Sequence, residues 1–398
     1  MNGDAARRDA KARVVARALE LGFDLVGVAA ADPFAKTKSV FERRAADGML
    51  GQWRFPPEKI ARHTDPSQAL AGARSIVCTA MTYATNDQPH DPYAPGLRGA
   101  VSRHSWGNDY HRVIGGKLRQ LATWIESEFS GESCLVCVDT GPLVDRAAAV
   151  RAGLGWYGKN ANVLTREHGS WVLLGELITT LDLAPDEPLA KNCGECRVCI
   201  DRCPTNAIGP DGAIDARRCI SDLTQLKTPI PIEFRAHIGN RIWGCDDCQT
   251  FCPVNERKER GADCMRGTFS PLPQIGTSVD LPSVLLMTKG RYKKWFKPTS
   301  MAWRGKAVLQ RNAAVALGNS RDERAIAPLI EALTDRKPTV RGHAAWALGQ
   351  LGPRLNGDKG RAALSELLDR EQDAWVRSET EAALARLAEQ SAVTDIKS

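Results

Sequence analysis

Eight of the chain's twelve cysteines fall between Cys193 and Cys252. Its N-terminal residues, Met1-Asn-Gly-Asp-Ala-Ala-Arg-Arg8, lack the apolar core of a secretion signal, so the protein is expected in the cytoplasm. Thiols are kept reduced there, and clustered thiolates point to metal ligation instead of disulfides. The run Cys193-Gly-Glu-Cys196-Arg-Val-Cys199-Ile-Asp-Arg-Cys203-Pro204 has the C-x2-C-x2-C-x3-C-P spacing of bacterial ferredoxins, whose fourth cysteine ligates the other of two clusters. A second run, Cys245-Asp-Asp-Cys248-Gln-Thr-Phe-Cys252-Pro253, supplies the partner. Crossing over the last cysteine of each run assigns Cys193, Cys196, Cys199 and Cys252 to one 4Fe-4S cluster. Cys203, Cys245 and Cys248 remain for the second, and Cys219 is the one further cysteine between the runs that can complete it. A pair of zinc sites is the competing reading, but zinc motifs rarely place three cysteines at successive two-residue gaps with proline after a fourth. Cys78 and Cys264 read as ordinary thiols, and Cys134 and Cys137 as strand residues packed in a core.

A second chemistry is written further along. Between Leu281 and Arg321 there is no Asp or Glu, while Lys289, Arg291, Lys293, Lys294, Lys297, Arg304, Lys306, Arg311 and Arg321 are all cationic. These nine charges exceed the net +7 of the whole chain. Tyr292, Trp295, Phe296 and Trp303 are interleaved with them, offering flat faces for unpaired bases beside cations for phosphates. The expected RNA contacts are Lys289, Arg291, Lys293, Lys294, Arg304 and Arg311, with Lys227 upstream. The plainer alternative is a basic, solvated helix start whose aromatics, Trp303 among them, pack into the domain that follows.

The elements that must position these groups read as an α+β multidomain chain. A hydrophobic share of 43% and a charged share of 25% are ordinary for a globular protein, and 398 residues imply two or three domains. No apolar run approaches the roughly 18 residues of a membrane helix, so no membrane partner is expected. A helical pattern over residues 5–21 precedes apolar strand candidates at 24–30, 75–81, 134–138 and 171–178, with a helix over 114–128 between them. This alternation predicts an α/β domain over residues 1–185, a ferredoxin-like two-cluster module over 186–262 and a third domain over 263–398. In that last part Leu309-Gln-Arg-Asn-Ala-Ala-Val-Ala-Leu-Gly318 matches Val340-Arg-Gly-His-Ala-Ala-Trp-Ala-Leu-Gly349, and Val376-Arg with Ala382-Ala-Leu384 follows. Paired helices at this period predict a HEAT-like α-solenoid, with residues 352–360 as a loop inserted between repeats.

Several further motifs resemble the cobalamin-dependent epoxyqueuosine reductases over roughly residues 10–350. They are Val138-Asp-Thr-Gly-Pro-Leu-Val-Asp-Arg146, Gly155-Trp-Tyr-Gly-Lys-Asn160, Gly169-Ser-Trp171 with Leu174-Gly-Glu-Leu177, Gly244-Cys-Asp-Asp-Cys-Gln249 and Arg311 to Asn319. The resemblance implies a nitroreductase-like N-terminal domain holding base-off cobalamin, fed with electrons by the two clusters. It implies a tRNA carrying epoxyqueuosine at the wobble position as substrate, reduced to queuosine with loss of the epoxide oxygen as water. Asp139 takes the proton donor's place; read alone, Asp139-Thr-Gly-Pro would be a turn cap. With Asp139 itself, Arg62, Ser102, Asn160, Val163, Ser170 and Ser221 take the places of cobalamin contacts, several through backbone groups. Asp109-Tyr-His111 is one residue too long for the spacing that supplies a histidine as lower cobalt ligand, which fits a base-off cofactor and leaves His111 a structural reading. The sequence departs from the family at Asp222-Leu-Thr-Gln-Leu-Lys227 and at Val254, which puts fine substrate contacts in question. The chain is expected to act as a monomer with an unidentified electron donor. A reductive dehalogenase-like enzyme, or a non-catalytic iron-sulfur carrier with a helical interaction module, are the alternatives.

Overall fold

The computed structural model describes residues 3–256 and 267–395; Cys264 and the expected boundary at residue 262 lie outside them. In chain order the strands are β1 (Leu25–Ala30), β2 (Ser75–Thr82), β3 (Arg98–Val101), β4 (Cys134–Cys137), β5 (Trp156–Tyr157), β6 (Val163–Leu164), β7 (Val172–Thr179), β8 (Arg241–Trp243) and β9 (Ser278–Asp280). The principal helices are α1 (Gly3–Glu20), α2 (Ala35–Ala46), α3 (Pro57–Thr64), α4 (Tyr110–Glu128), α5 (Asp145–Arg151), α6 (Lys289–Trp295), α7 (Lys306–Gly318), α8 (Ile326–Ala332), α9 (Pro338–Arg370) and α10 (Ala374–Asp395). Among the described residues no helix is long and apolar enough to cross a membrane.

The chain forms two compact units, both discontinuous: Met1–Asn86, Gly107–Cys219 and Asp246–Ser270 make the first, and Asp87–Trp106, Ile220–Cys245 and Pro271–Ser398 the second. This division differs from the three consecutive segments expected from the sequence. Cys245 falls in the second unit while the other cluster cysteines fall in the first.

The first unit is built on a four-stranded sheet of order β1-β2-β7-β4, every pair antiparallel. Both faces are covered, which is why all eight residues of β2 are buried and no hydrophobic alternation shows in its sequence. The period of two survives in what each side chain meets. Val77 and Met81 of β2, with Leu173 and Leu177 of β7, pack with Ile114, Leu118, Leu121 and Ile125 of α4 and with Val14 and Ala18 of α1. Ile76, Cys78 and Ala80, with Ile178 and Cys137, pack on the other side with Ala147, Ala148 and Ala149 of α5. Helix α4 starts at Asp109, whose carboxylate accepts the N–H of His111 at 3.1 Å as an N-cap. Gly175 lets it lie close to the sheet, since a Cβ there would stand 2.3 Å from Ile114 Cγ2.

In the second unit a three-stranded sheet of order β8-β3-β9 adjoins the solenoid. Its repeated Ala-Leu-Gly has a packing origin. A Cβ on Gly318 of α7 would lie 2.8 Å from Cα of Ala347 in α9, and one on Gly349 of α9 would lie 2.8 Å from Cα of Ala383 in α10, so each glycine marks a close helix crossing. The insertion after Gly352 is not a loop: α9 runs on as one helix of 33 residues, although Gly352 has φ 74°.

Candidate functional site

Four cysteines face one another in the first unit. Burial first, then the neighbouring thiols of Cys252, Cys193 and Cys196, push the Cys199 thiol up to about 11. Cys252 is raised in the same way by burial and by Cys193 and Cys196. These are the four residues that the spacing assigned to one cluster. Cys203 and Cys248 pack beside Cys199 in an adjoining apolar cluster, and Cys203 Sγ accepts the N–H of Ala207 at 3.2 Å. Bonds of this kind hold thiolates in place and tune the iron they bind. Among the described residues no three His, Cys, Asp or Glu side chains are gathered closely enough to hold a single ion. A cubane spreads its four thiolates over four different irons, and four mutually coupled thiols, Cys193, Cys196, Cys199 and Cys252, are a donor set of that kind. The surroundings fit as well: Trp156 Nε1 is buried without a partner in the apolar cluster that holds Cys252 and Cys193, a donor suited to cluster sulfur.

The loop before β6 and the turn before β7 are fastened to the cysteine runs. Lys159 Nζ donates to the carbonyl of Gly194 at 2.7 Å, and Asn160 Nδ2 to that of Cys248 at 3.1 Å. Ser170 Oγ and the Tyr83 hydroxyl both donate to Gln249 Oε1, while Asn255 Nδ2 donates to Ser170 Oγ. Gly169 is fixed by this network, because it has φ 58° and a Cβ there would come within 2.0 Å of Asn255 Oδ1.

Asp139 follows β4 in a left-handed conformation, φ 52°, which aspartate tolerates better than most non-glycine residues. Its side chain is 61% exposed. It does not act as the simple turn cap that its neighbours suggest: Oδ2 accepts from the Tyr110 hydroxyl at 3.1 Å and lies 3.3 Å from His111 Nε2. The other ring nitrogen of His111 is 2.8 Å from Asp109. Burial lowers the basicity of His111, but the hydrogen bonds and charges of Asp109 and Asp139 outweigh it and raise the imidazole to about 9. Burial pulls the Asp139 carboxyl upward; His111, Tyr110 and Arg146 prevail and hold it below the usual range. Near neutral pH the pair is imidazolium and carboxylate, sharing one proton that can be handed over. Tyr110 and His111 escape a reading based on the lower-ligand spacing; an acid, an aromatic and a histidine at a helix start are the signal that marks them.

The family model "Epoxyqueuosine reductase QueG, DUF1730" matches residues 63–140. A "4Fe-4S double cluster binding domain" matches residues 192–255, and "HEAT repeats" match 304–385. An epoxyqueuosine reductase of Bacillus anthracis is 38% identical over 383 residues, 95% of this chain and 98% of that one. The chain belongs to the epoxyqueuosine reductase family. Its relative from Bacillus subtilis is 37% identical over 93% of this chain and 94% of its own. An epoxyqueuosine reductase crystallised with an epoxyqueuosine-modified tRNA-Tyr stem loop superposes with a TM-score of 0.88 at 36% identity, covering 96% of this chain and 99% of that one. A Bacillus subtilis form whose catalytic loop is swung out of the active site gives 0.87 at 36% identity, covering 95% and 99%.

For a member of the epoxyqueuosine reductase family, the expected cobalamin contacts fall as follows. In the first unit Arg62 is exposed on α3, Val163 is buried in β6, and the buried side chains of Asn160 and Ser170 are spent on the cysteine runs. In the second, Ser102 Oγ is 2.8 Å from His104 Nδ1, and the Ser221 carbonyl accepts from Gln225 Nε2. Of the RNA contacts, Lys227, Lys289, Arg291, Lys293 and Lys294 are exposed and Arg304 is half-buried over the Trp303 ring. Trp303 itself is 52% exposed, so it is not a core residue. Arg311 is a correction: it is 1% exposed, and its guanidinium donates to the carbonyls of Leu223, Thr224, Leu226 and Thr228. With Asn312 on Thr224 and Ile242, it fastens residues 223–242 to the first repeat and cannot reach a phosphate.

Proposed function

We propose that this chain reduces epoxyqueuosine to queuosine at the wobble position of a tRNA in the cytoplasm, as a monomer. The observation that carries the reading is the His111–Asp139 pair, presented at a left-handed, exposed turn in the same compact unit as most of the double-cluster cysteines. Removing an epoxide oxygen to leave an alkene takes two electrons and two protons and releases water. When bound, base-off cobalamin would supply the electrons, received from a donor through the two clusters. Its proposed contacts are Arg62, Ser102, Asp139, Asn160, Val163, Ser170 and Ser221. Residues 1–185, 186–262 and 263–398 are the proposed cofactor, cluster and RNA-positioning segments, with Lys227, Lys289, Arg291, Lys293, Lys294 and Arg304 as phosphate contacts.

The protein's own residues manage the protons. Free in solution, the shared proton rests on His111. A nucleoside that covers Asp139 removes water from a carboxylate and favours its neutral form, so the proton moves to Asp139 and on to the leaving oxygen. A purely electron-carrying protein has no use for such a pair. Mass analysis of the wobble nucleoside after incubation with protein, cobalamin and a strong reductant tests the reading. The wild-type chain should yield queuosine, and Asp139→Asn should lose roughly 10²–10⁴-fold in rate. An epoxide untouched by the wild-type chain would defeat it.

A further inference from the structure

In the first unit a cavity of about 640 Å³ opens between the end of α2 and residues 206–218, a volume in the range of small-molecule sites. Arg43, Arg44, Asp47 and Met49 form one wall, and the 206–218 stretch forms the other. No cysteine lines it, so it is not the space that a cluster fills. The second wall is firmly built: the N–H of Gly209 donates to the Ala213 carbonyl at 2.7 Å and that of Asp215 to the Ala207 carbonyl at 2.8 Å. The N–H of Ala216 donates to the Met49 carbonyl at 2.9 Å and ties the two walls together. One hydrogen bond separates the cavity from a cluster ligand. Ala207, which lines it, donates its N–H to Cys203 Sγ at 3.2 Å, and Arg218, also in the lining, directly precedes Cys219. Electron transfer slows steeply as the path lengthens, so a carrier lodged here would reach the second cluster through a single residue.

The charges in the lining say what it takes. Arg43 is exposed and has no hydrogen-bond or ion-pair partner among the described residues. Arg44 Nη2 donates to the Ile214 carbonyl, while its Nε is buried without a partner. Arg218 is steadied by a 2.9 Å bond from Nε to the Thr205 carbonyl. Three acids share the lining, and two of them are engaged: Asp211 accepts the N–H of Ala213 at 3.0 Å, and Asp215 is chelated by Arg217 through bonds of 2.8 and 2.7 Å. Carboxylates among the cations work against the acidic face of a carrier protein. They suit a small molecule with a phosphate for the guanidiniums and hydroxyl groups for the acids.

We propose that this cavity binds a phosphorylated flavin of mononucleotide size and is the place where electrons enter the clusters. This rests on the reading that the two clusters feed the reaction. Each cluster takes one electron at a time, whereas a nicotinamide gives up two together as hydride; a reduced flavin can release its pair singly. On transfer the N5–H bond of the anionic reduced flavin breaks and its proton passes to solvent. Its two electrons go one to each cluster, and oxidised flavin is left. Arg43 and Arg44 hold the phosphate, Asp47 accepts from a hydroxyl of the flavin side chain, and Met49, Ala207 and Pro210 offer the ring its apolar surface.

The test uses the full-length protein with both clusters reconstituted and neither cobalamin nor tRNA present. Flavin mononucleotide should bind saturably, read as quenching of its fluorescence. Riboflavin, the same ring without the phosphate, should bind about tenfold more weakly, as expected for loss of a charge-assisted hydrogen bond. Arg43→Gln should weaken flavin mononucleotide by a similar factor, leave riboflavin binding and iron content at wild-type levels, and be partly rescued by Arg43→Lys. Mixing reduced protein, freed of its reductant, with oxidised flavin runs the transfer backwards. The broad iron-sulfur absorbance should then return at a rate that saturates with flavin mononucleotide and rises only in proportion to riboflavin. Equal affinity of the wild-type chain for the two flavins, or recovery without saturation, would overturn the proposal. Failure to reduce the nucleoside with an artificial reductant would instead sink the functional reading and leave the flavin site standing.

Discussion

Charge and burial decide a residue's role more than its type does, and the acids near Asp139 show this. Asp139, Asp145 and Glu176 are all carboxylic acids within one local cluster, yet the first is held low and the other two high. Hydrogen-bonded cationic His111 stabilises charge on Asp139, whereas burial opposes it on the others. The sign for stability follows. Glu176 keeps its proton in the fold but loses it in the unfolded chain above the usual glutamate range, so the native state binds more protons there. Stability contributed by this group is intact below that range and declines as pH rises, by up to about 1.4 kcal/mol per pH unit. Glu176→Gln should remove its share of that decline, measured as a smaller loss of unfolding midpoint between acid and alkaline solution. An unchanged slope would mean that Glu176 is already ionised in the fold.

At the scale of elements, one basic stretch splits into two roles because it crosses from a surface helix into a packed one. Helix α6 displays Lys289, Arg291, Lys293 and Lys294 to solvent, while α7 turns Arg311 inward. Replacing the four α6 cations with alanine should leave thermal stability unaltered and weaken tRNA binding. The log–log salt dependence should flatten by about 0.7–0.9 for each phosphate that is no longer neutralised. Arg311→Met should do the reverse, lowering the melting temperature by leaving buried carbonyls unsatisfied, at a cost of a few kcal/mol, on the order of 3. Binding that survives the four-site change with its salt slope intact would remove α6 from the interface. The solenoid was legible from its Ala-Leu-Gly repeat because that signature is itself a packing constraint. The continuity of α9 was not: glycine, proline and asparagine at 352–357 carry loop propensity, and the helix forms regardless.

For the molecule as a whole, the cluster module is the part that ties distant chain segments to one function. Cys219 stands alone between the two runs, and its assignment rests on the count of ligands. Cys219→Ser should cost roughly half of the bound iron and sulfide after anaerobic reconstitution, with the broad iron-sulfur absorbance reduced in step. Full iron content in that variant would move the fourth ligand elsewhere.

The cysteine spacing, the helical repeat and the strands of the first sheet were determined by sequence alone, because each is a local pattern: a ligand spacing, a helix-pair period and short apolar runs bounded by turn residues. The face that Asp139 presents, the His111 beside it, the burial of Arg311 and the lodging of Glu176 behind the turn were decided only by tertiary structure. Each depends on which residues far apart in the chain come to surround the group, and a side chain's charge state and access follow from those neighbours.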